Sequence, residues 1–236
     1  MARAQSLQGV QLGVESTSGT GVSANKRLTS TFINLEPQVP VTQYRPSGGK
    51  SPTQEIVGRQ MTRGTIEGQM SYIDLAYLFS SLIEDPAAGG SPFTFNISPY
   101  GADSPQSYTI ETGLQGGAGE KCSYFVVDSL RLRFTQTDCT IQGTGFGRTM
   151  TDPATLTASP TELTRAPISP KDWYIKVDDV LADIAEVDGV FECEWEISNM
   201  WVPKFEADSS QGSFVEVVPG KPRSEEHTSE LQSRFG

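Results

Sequence analysis

The stretch Ser47-Gly48-Gly49-Lys50-Ser51 has the residue types of a phosphate-binding loop. In such a loop, glycine amides cradle the phosphates, the lysine reaches their terminal oxygens and the hydroxyl holds Mg2+. The full pattern needs a glycine at position 44 and a helix after Ser51, but the chain has Tyr44 and Pro52 there, so the stretch reads as a hairpin tip. Gly143 to Gly147 is spaced G-x-G-x-G rather than as a dinucleotide fingerprint, and reads as a bulge or a close backbone approach. Asp178-Asp179 and Glu192, Glu194 and Glu196 are types that serve as the paired carboxylates of glycosidases. Carboxylates at alternate positions of one strand are more often its solvated face, and Arg131 and Arg133 form a similar pair that an acidic neighbour would match. Trp173, Trp195, Tyr72 and Tyr77 are the residue types of a sugar-binding platform, although Trp195 alternates in phase with Cys193 and Ile197, as a core residue does. Cys122, Cys139 and Cys193 are odd in number and lack metal-ligand spacing, which reads as reduced thiols in a cytoplasmic protein.

The only histidine, His227, lies in "RSEEHTSELQSRFG", residues 223–236. Arg223 to Ser233 resembles the translation of a common sequencing-library adapter, so 223–236 reads as a non-native tail and the natural frame as ending near Pro222. Excluding the tail removes two basic and three acidic residues and leaves a net charge of −10, against −11 for the whole chain. It also leaves no histidine for a Ser-His-Asp or Cys-His site or for a histidine metal site.

With 236 residues, 36% of them hydrophobic, the chain is long enough to bury a core. Its 23 glycines and 15 prolines fit a turn-rich, mainly β protein. No apolar run approaches the roughly 20 residues of a membrane span, and "MARAQSLQGVQLG" lacks the apolar core of a secretory signal. The acidic balance argues against stable nucleic-acid binding. No cofactor or metal is expected.

The elements that would position these residues are mostly short strands. Residues 1–26 read as an arm, Arg27 to Pro37 as a strand, and Val39 to Gln60 as a long hairpin with a loose Pro/Gly/Ser tip. In "TRGTIEGQMSY", Ile66, Gly68, Met70 and Tyr72 alternate with Thr65, Glu67, Gln69 and Ser71. The period then changes. Ile73 to Asp85 reads as one helix, with a Ser71/Asp74 capping box, polar positions at Asp74, Ser80, Ser81 and Glu84, and a stop at Pro86 and Gly89-Gly90. So small a polar face predicts burial in a core or a subunit interface. Strands follow at "PFTFNIS", "SYTIETG", 123–135 and 139–146, with Leu130, Leu132 and Phe134 facing away from Ser129, Arg131, Arg133 and Thr135. Residues 148–170 are Thr/Pro-rich and read as a linker or crossover; "DWYIKVDD", "VFECEWEIS" and "SFVEVVP" complete the strands. The fold class is mainly β: a sandwich or barrel with one packed helix.

This order, with "RGTIEGQMSYIDLAYLFSSLI" and "SLRLRF" followed by "GTGFGR", resembles the major tail tube proteins of long-tailed bacteriophages over roughly Leu7 to Pro222. The resemblance implies a β-sandwich flanked by a helix, subunits joined sheet to sheet in trimeric or hexameric rings, and rings stacked into a conduit for the genome. It implies a virion tail protein, assembled in host cytoplasm, whose partners are itself and tail proteins such as tape measure, terminator and tip. The hairpin loop Arg45, Ser47, Gly48, Gly49, Lys50 and Ser51 would contact the next ring. Leu75, Tyr77, Leu78, Phe79 and Leu82 would form a ring interface, and Glu192, Glu194 and Glu196 would face the lumen. The rival reading is a β-sandwich carbohydrate-binding module or glycan-degrading enzyme. Thr31 to Gln60 can be laid beside Trp195 to Pro222, matching Asn34 with Asn199. The domains then read as arm 1–26, tube domain 27–150, linker 151–170, a second, incomplete half 171–222 and the tail 223–236.

Overall fold

The computed structural model describes residues 8–84, 95, 105–114, 118–171, 173, 176–177, 185–186, 190–206, 212–220 and 223–230. In chain order the first strands are β1 Gln8–Val14, β2 Lys26–Arg27, β3 Thr31–Gln38, β4 Val41–Tyr44, β5 Gln54–Val57 and β6 Met61–Gln69, followed by helix α1 Tyr72–Leu82. Then come β7 Tyr108–Leu114, β8 Ala118–Thr135, β9 Cys139–Gly147, β10 Thr151–Thr155 and β11 Thr161–Glu162. The last are β12 Lys176–Val177, β13 Ala185–Glu186, β14 Val190–Ser198, β15 Trp201–Lys204, β16 Glu216–Pro219 and β17 Arg223–Glu230. The protein is mainly β with one described helix, as its alternating patterns require. The strand "PFTFNIS" and the stop signals Pro86 and Gly89-Gly90 lie outside the described residues, Phe95 excepted.

One long strand ties the sandwich together. The N-terminal half of β8 pairs with β7 and β10, in a layer that continues through β1 and β2 to β11. Its C-terminal half pairs with β9 on one edge and β14 on the other, in a layer that runs outward to β6 and β3. Tyr124 takes a positive φ of 53°, and the ladders slip at Val127/Ser129 and at Tyr108/Ile110. Such bulges bend a strand and let it pass from one sheet to another. Phe125, fully buried at the bend, lies over Gly64 and Gly145; a Cβ at either would run into its ring. The core fills with Val10, Leu12 and Ile110 from one layer and Ile33, Ile66 and Leu132 from the other.

Helix α1 closes one side of this core with Leu75, Leu78 and Leu82. The expected capping box does not form: Ser71 is the N-cap, but its side chain makes no cap bond. Asp74 instead turns to the β2–β3 connection. Its Oδ2 accepts from the Thr29 N–H (3.3 Å), the Ser30 N–H (3.0 Å), Ser30 Oγ (2.9 Å) and Thr31 Oγ1 (3.1 Å). Asp74, Ser80 and Ser81, read as a polar face, are all buried. Ser81 Oγ accepts the Val127 N–H at 2.9 Å, so these side chains serve backbone groups that the core would otherwise strand.

Two segments are better ordered than their composition predicts. Within the stretch read as an arm, β1 pairs along its length with β7 and buries Val10 and Leu12. The loop after it is held by buried Glu15, which accepts from Ser107 Oγ, Thr109 Oγ1 and the Gly19 and Tyr124 amides. Within the stretch read as a linker, β10 pairs with β8 and β11 with β2. Buried Glu111 accepts from the Thr157 amide at 2.7 Å and pairs with Lys121. Gly, Ser and Thr content reads as loop, yet here it supplies the donors that buried carboxylates need. Arg223–Glu230, for which the sequence offers no periodic pattern, lies as a strand along β14. An open strand edge offers backbone partners to any chain, whatever its side chains.

Two consequences of this packing are measurable. Asp74→Ala should lower stability by more than about 2 kcal/mol, because several donors lose a charged acceptor; urea unfolding reads this, with Asp74→Asn retaining part of the loss. Burial pushes the Cys122 thiol up to about 12, and Cys139 is raised by the same cause. At pH 8 these thiols are protonated and slow to react, so a thiol reagent should label the folded chain at half-buried Cys193 first and Cys122 only in denaturant. Mass spectrometry of the labelled peptides checks the order, and equal labelling of all three would overturn it.

Candidate functional site

The most exposed element is the β4–β5 ribbon. All eight of its strand residues are exposed, among them Val41, Tyr44, Ile56 and Val57 at 49 to 55%. Val41 pairs with Val57 and Tyr44 with Gln54, so apolar side chains stand on a two-stranded ribbon without a covering layer among the described residues. Arg45, Ser47, Gly48, Gly49, Lys50 and Ser51 form its tip. Gly48 has φ 82°, a conformation that favours glycine, and the Gly49 N–H bonds to Pro46 O at 2.9 Å. The glycines therefore shape a turn, and no helix follows them as a phosphate-binding loop would need. At the base of the ribbon an open groove of about 640 Å3 is lined by Gln38, Val39, Pro40, Arg59, Met61 and Phe205.

A second hairpin, β15–β16, repeats the connection. Gly58 N–H bonds to Pro40 O at 2.7 Å, and Gly220 N–H to Met200 O at 2.8 Å. Thr53 N–H bonds to Tyr44 O at 3.0 Å, and Val215 N–H to Lys204 O at 2.9 Å. Each hairpin leaves a longer strand and returns to pair with it: Gln38 lies opposite Met61, and Ser198 opposite Arg223. By this geometry Asn34 corresponds to Glu194. Matching Asn34 with Asn199 by residue identity differs from this hydrogen-bond frame by five positions.

The outward face of the second layer is polar and mixed in charge. Glu194 forms an ion pair with Arg131, and Glu192 with Arg133, across the β14–β8 pairing. Each arginine therefore meets the acidic neighbour its position calls for. Glu196 borders a shallow depression with Thr65, Glu67, Ser129 and Thr144. Among the described side chains of β3, β6, β8 and β14, this face carries five carboxylates (Glu36, Glu67, Glu192, Glu194, Glu196) and three guanidinium groups (Arg63, Arg131, Arg133). Asp178-Asp179 lies outside the described residues.

The helix side chains are engaged inside the chain. Leu75, Leu78 and Leu82 are buried in its own core. Tyr77 meets Tyr108 edge-on at 6.2 Å, and Phe79 stacks on Phe95 and Trp195 at 5.6 and 5.8 Å. Leu75, Leu78 and Leu82 thus fill the subunit's own core, Tyr77 and Phe79 are partly buried against it, and Tyr72, 56% exposed, is the outermost aromatic of the helix. The aromatic platform expected of a sugar binder is not assembled either. Trp195 packs on Phe79, and Trp173 packs on Phe134 while donating Nε1–H to Thr135 O at 3.2 Å. A feature that sequence reasoning missed is Arg148. It donates to Gly19, Phe214 and Val215 carbonyls and lies 4.8 Å from the Tyr124 ring centroid, clamping the segments after β1 and before β16 to one place. Its position just after an apolar strand gave no signal, since all three acceptors are distant in sequence.

No curated protein matches the chain. The family model described as phage tail tube protein matches residues 5–211, a span that takes in the β4–β5 hairpin, the helix and the long bent strand. The chain therefore belongs to the phage tail tube protein family and is a structural subunit of a phage tail tube.

Proposed function

We propose that the subunit self-assembles into rings, trimeric or hexameric, and that the rings stack through the β4–β5 ribbon into the conduit for the genome. The observation that carries this reading is the ribbon itself. A two-stranded ribbon is marginal in water on its own, and one bearing exposed valine, isoleucine and tyrosine is stabilised by a partner surface. The basic tip, with Arg45 and Lys50, suits a neighbour from a chain as acidic as this one. Partners are other copies and the proteins that measure, end and tip the tail; assembly takes place in the host cytoplasm before the subunit resides in the virion tail. The stretch 27–150 acts as one complete tube unit and 171–222 as a partial second one.

The outward face of the second layer, with Glu192, Glu194 and Glu196, lines the lumen in this reading. Its carboxylates outnumber its guanidinium groups, so it repels phosphates weakly over a screening length of about 8 Å at physiological ionic strength. A basic wall would instead hold DNA by counterion release.

Deleting Ser47 to Ser51 should leave a folded subunit, by circular dichroism, that forms no long tubes in negative-stain microscopy. Tubes of normal length from that deletion would sink the ribbon's role. Changing Glu192, Glu194 and Glu196 together to glutamine should permit assembly yet slow genome ejection, most at low salt, because Arg63, Arg131 and Arg133 then dominate the face. Changing them to lysine should also weaken the β14–β8 pairing through like charges facing Arg131 and Arg133, seen as a lower urea midpoint than for the glutamine form. Unchanged ejection by the glutamine form would place this face outside the lumen.

A further inference from the structure

A ribbon without a layer beneath it takes its direction from its base. Among the described residues, β4 and β5 pair only with each other. The connection that returns from β5 to β6 is held at two points. Gln60 N–H bonds to Gly212 O at 2.9 Å, and Thr62 Oγ1 donates to Arg148 O at 2.6 Å. Met61, between them, lines the same groove as Phe205.

Gly212 is exposed and has no side chain to hold it, so its place is set by the residues that follow. Ser213 and Phe214 are buried, Phe214 completely. The Phe214 ring lies 5.1 Å from the Tyr124 ring and meets Phe146 and Phe205 edge-on at 5.6 and 6.4 Å. Arg148 donates Nε–H to Phe214 O at 3.2 Å and an Nη2 hydrogen to Val215 O at 3.0 Å, with its Cζ 5.9 Å from the Phe214 ring centroid. A guanidinium presents its donors in a rigid planar fork, so it fixes two successive carbonyls together. Its remaining bond, to Gly19 O at 3.1 Å, and the Tyr124 ring beside it tie the fork to the bend of β8. Arg148 itself follows β9 directly, where Gly147 pairs with Thr62. The links therefore close a circuit, from Gln60 through Gly212, Phe214 and Arg148 back to Thr62.

We infer that Arg148 and Phe214 are positioning residues for the ribbon. They hold the Gly212 carbonyl where it accepts the Gln60 N–H, and this sets the angle at which β4–β5 leaves the body. The inference rests on the ribbon's role proposed above and names the residues outside the ribbon that aim it. Both are distant from β4 and β5 in sequence, so losing either should loosen the ribbon without altering the side chains that it presents.

The test uses the full chain carrying Cys193→Ser, with spin labels on Ser47→Cys at the ribbon tip and Gln136→Cys in the β8–β9 turn. Double electron–electron resonance reads the distribution of distances between the labels. Phe214→Ala and Arg148→Lys should each broaden it at least twofold, the lysine because one ammonium does not reproduce the fork. Arg148→Lys leaves the Phe214 ring present and carries the test if near-UV circular dichroism shows Phe214→Ala to be unfolded. Leu78→Ala is the control. It opens the core beneath the helix and lowers the urea midpoint, but should leave the width unchanged. An unchanged width in either folded variant, or equal broadening by Leu78→Ala, overturns the inference. Negative-stain microscopy of unlabelled chains separates the two readings. Tubes that form without Ser47 to Ser51, alongside the expected broadening, defeat the stacking role and uphold this inference; tubes that require that tip, alongside unchanged widths, defeat this inference alone.

Discussion

Everything in this subunit depends on β8 being a single strand in two sheets. Its 18 residues place an inner strand of each layer on one continuous backbone. The layers therefore cannot slide or separate without breaking β8 itself, and the angle between them is set by the bulges near Tyr124 and Val127. Phe125 holds that bend from inside. Glycine at 64 and 145 is what lets its ring sit between strands, since any side chain there would lift β6 or β9 off the core. A sandwich built this way needs no disulfide to fix its layers.

The second requirement is that bulges and a packed helix expose backbone groups to the core, and these must be paired. Three buried carboxylates answer it. Glu15 gathers the loop after β1, Asp74 the turn before β3, and Glu111 the crossover after β10. Each ties a segment of irregular backbone to the sandwich through several donors, joined at Glu111 by the Lys121 ammonium, and such multiple pairing offsets the cost of burying a carboxyl group. Arg148 does the same for carbonyls, joining segments from opposite ends of the described chain.

A body held so firmly can present other elements without support of its own. The β4–β5 ribbon projects with apolar side chains uncovered among the described residues, β3 ends its sheet there, and the outward face of the second layer stays polar, with two ion pairs across β14 and β8. Those are liabilities for a solitary molecule and working surfaces for a subunit of an assembly. No reactive constellation is needed for that role; the chemistry lies in which edges and faces remain unfilled.

The sequence by itself determined much of this. Period-2 alternation marked β6, the C-terminal half of β8 and β14, because a residue's face in a strand depends only on its neighbours. The change of period at Ile73 marked the one described helix, and Pro, Gly and Ser around Gly48 marked the hairpin tip. Those patterns also carried the family likeness. Only the tertiary structure decided the rest, because a partner across a sheet or a core leaves no trace in local order. Asp74 has the spacing of a cap but bonds to residues 29–31; Leu75, Leu78 and Leu82 have a pattern that fits a core or an interface, and they fill the subunit's own core; residues 8–14 have the composition of an arm but pair with β7. The alignment of the two hairpin units likewise came from ladder registers and not from matching letters. Hydrogen-bond geometry is kept where side chains diverge, since the backbone that makes it is the same in every residue but proline.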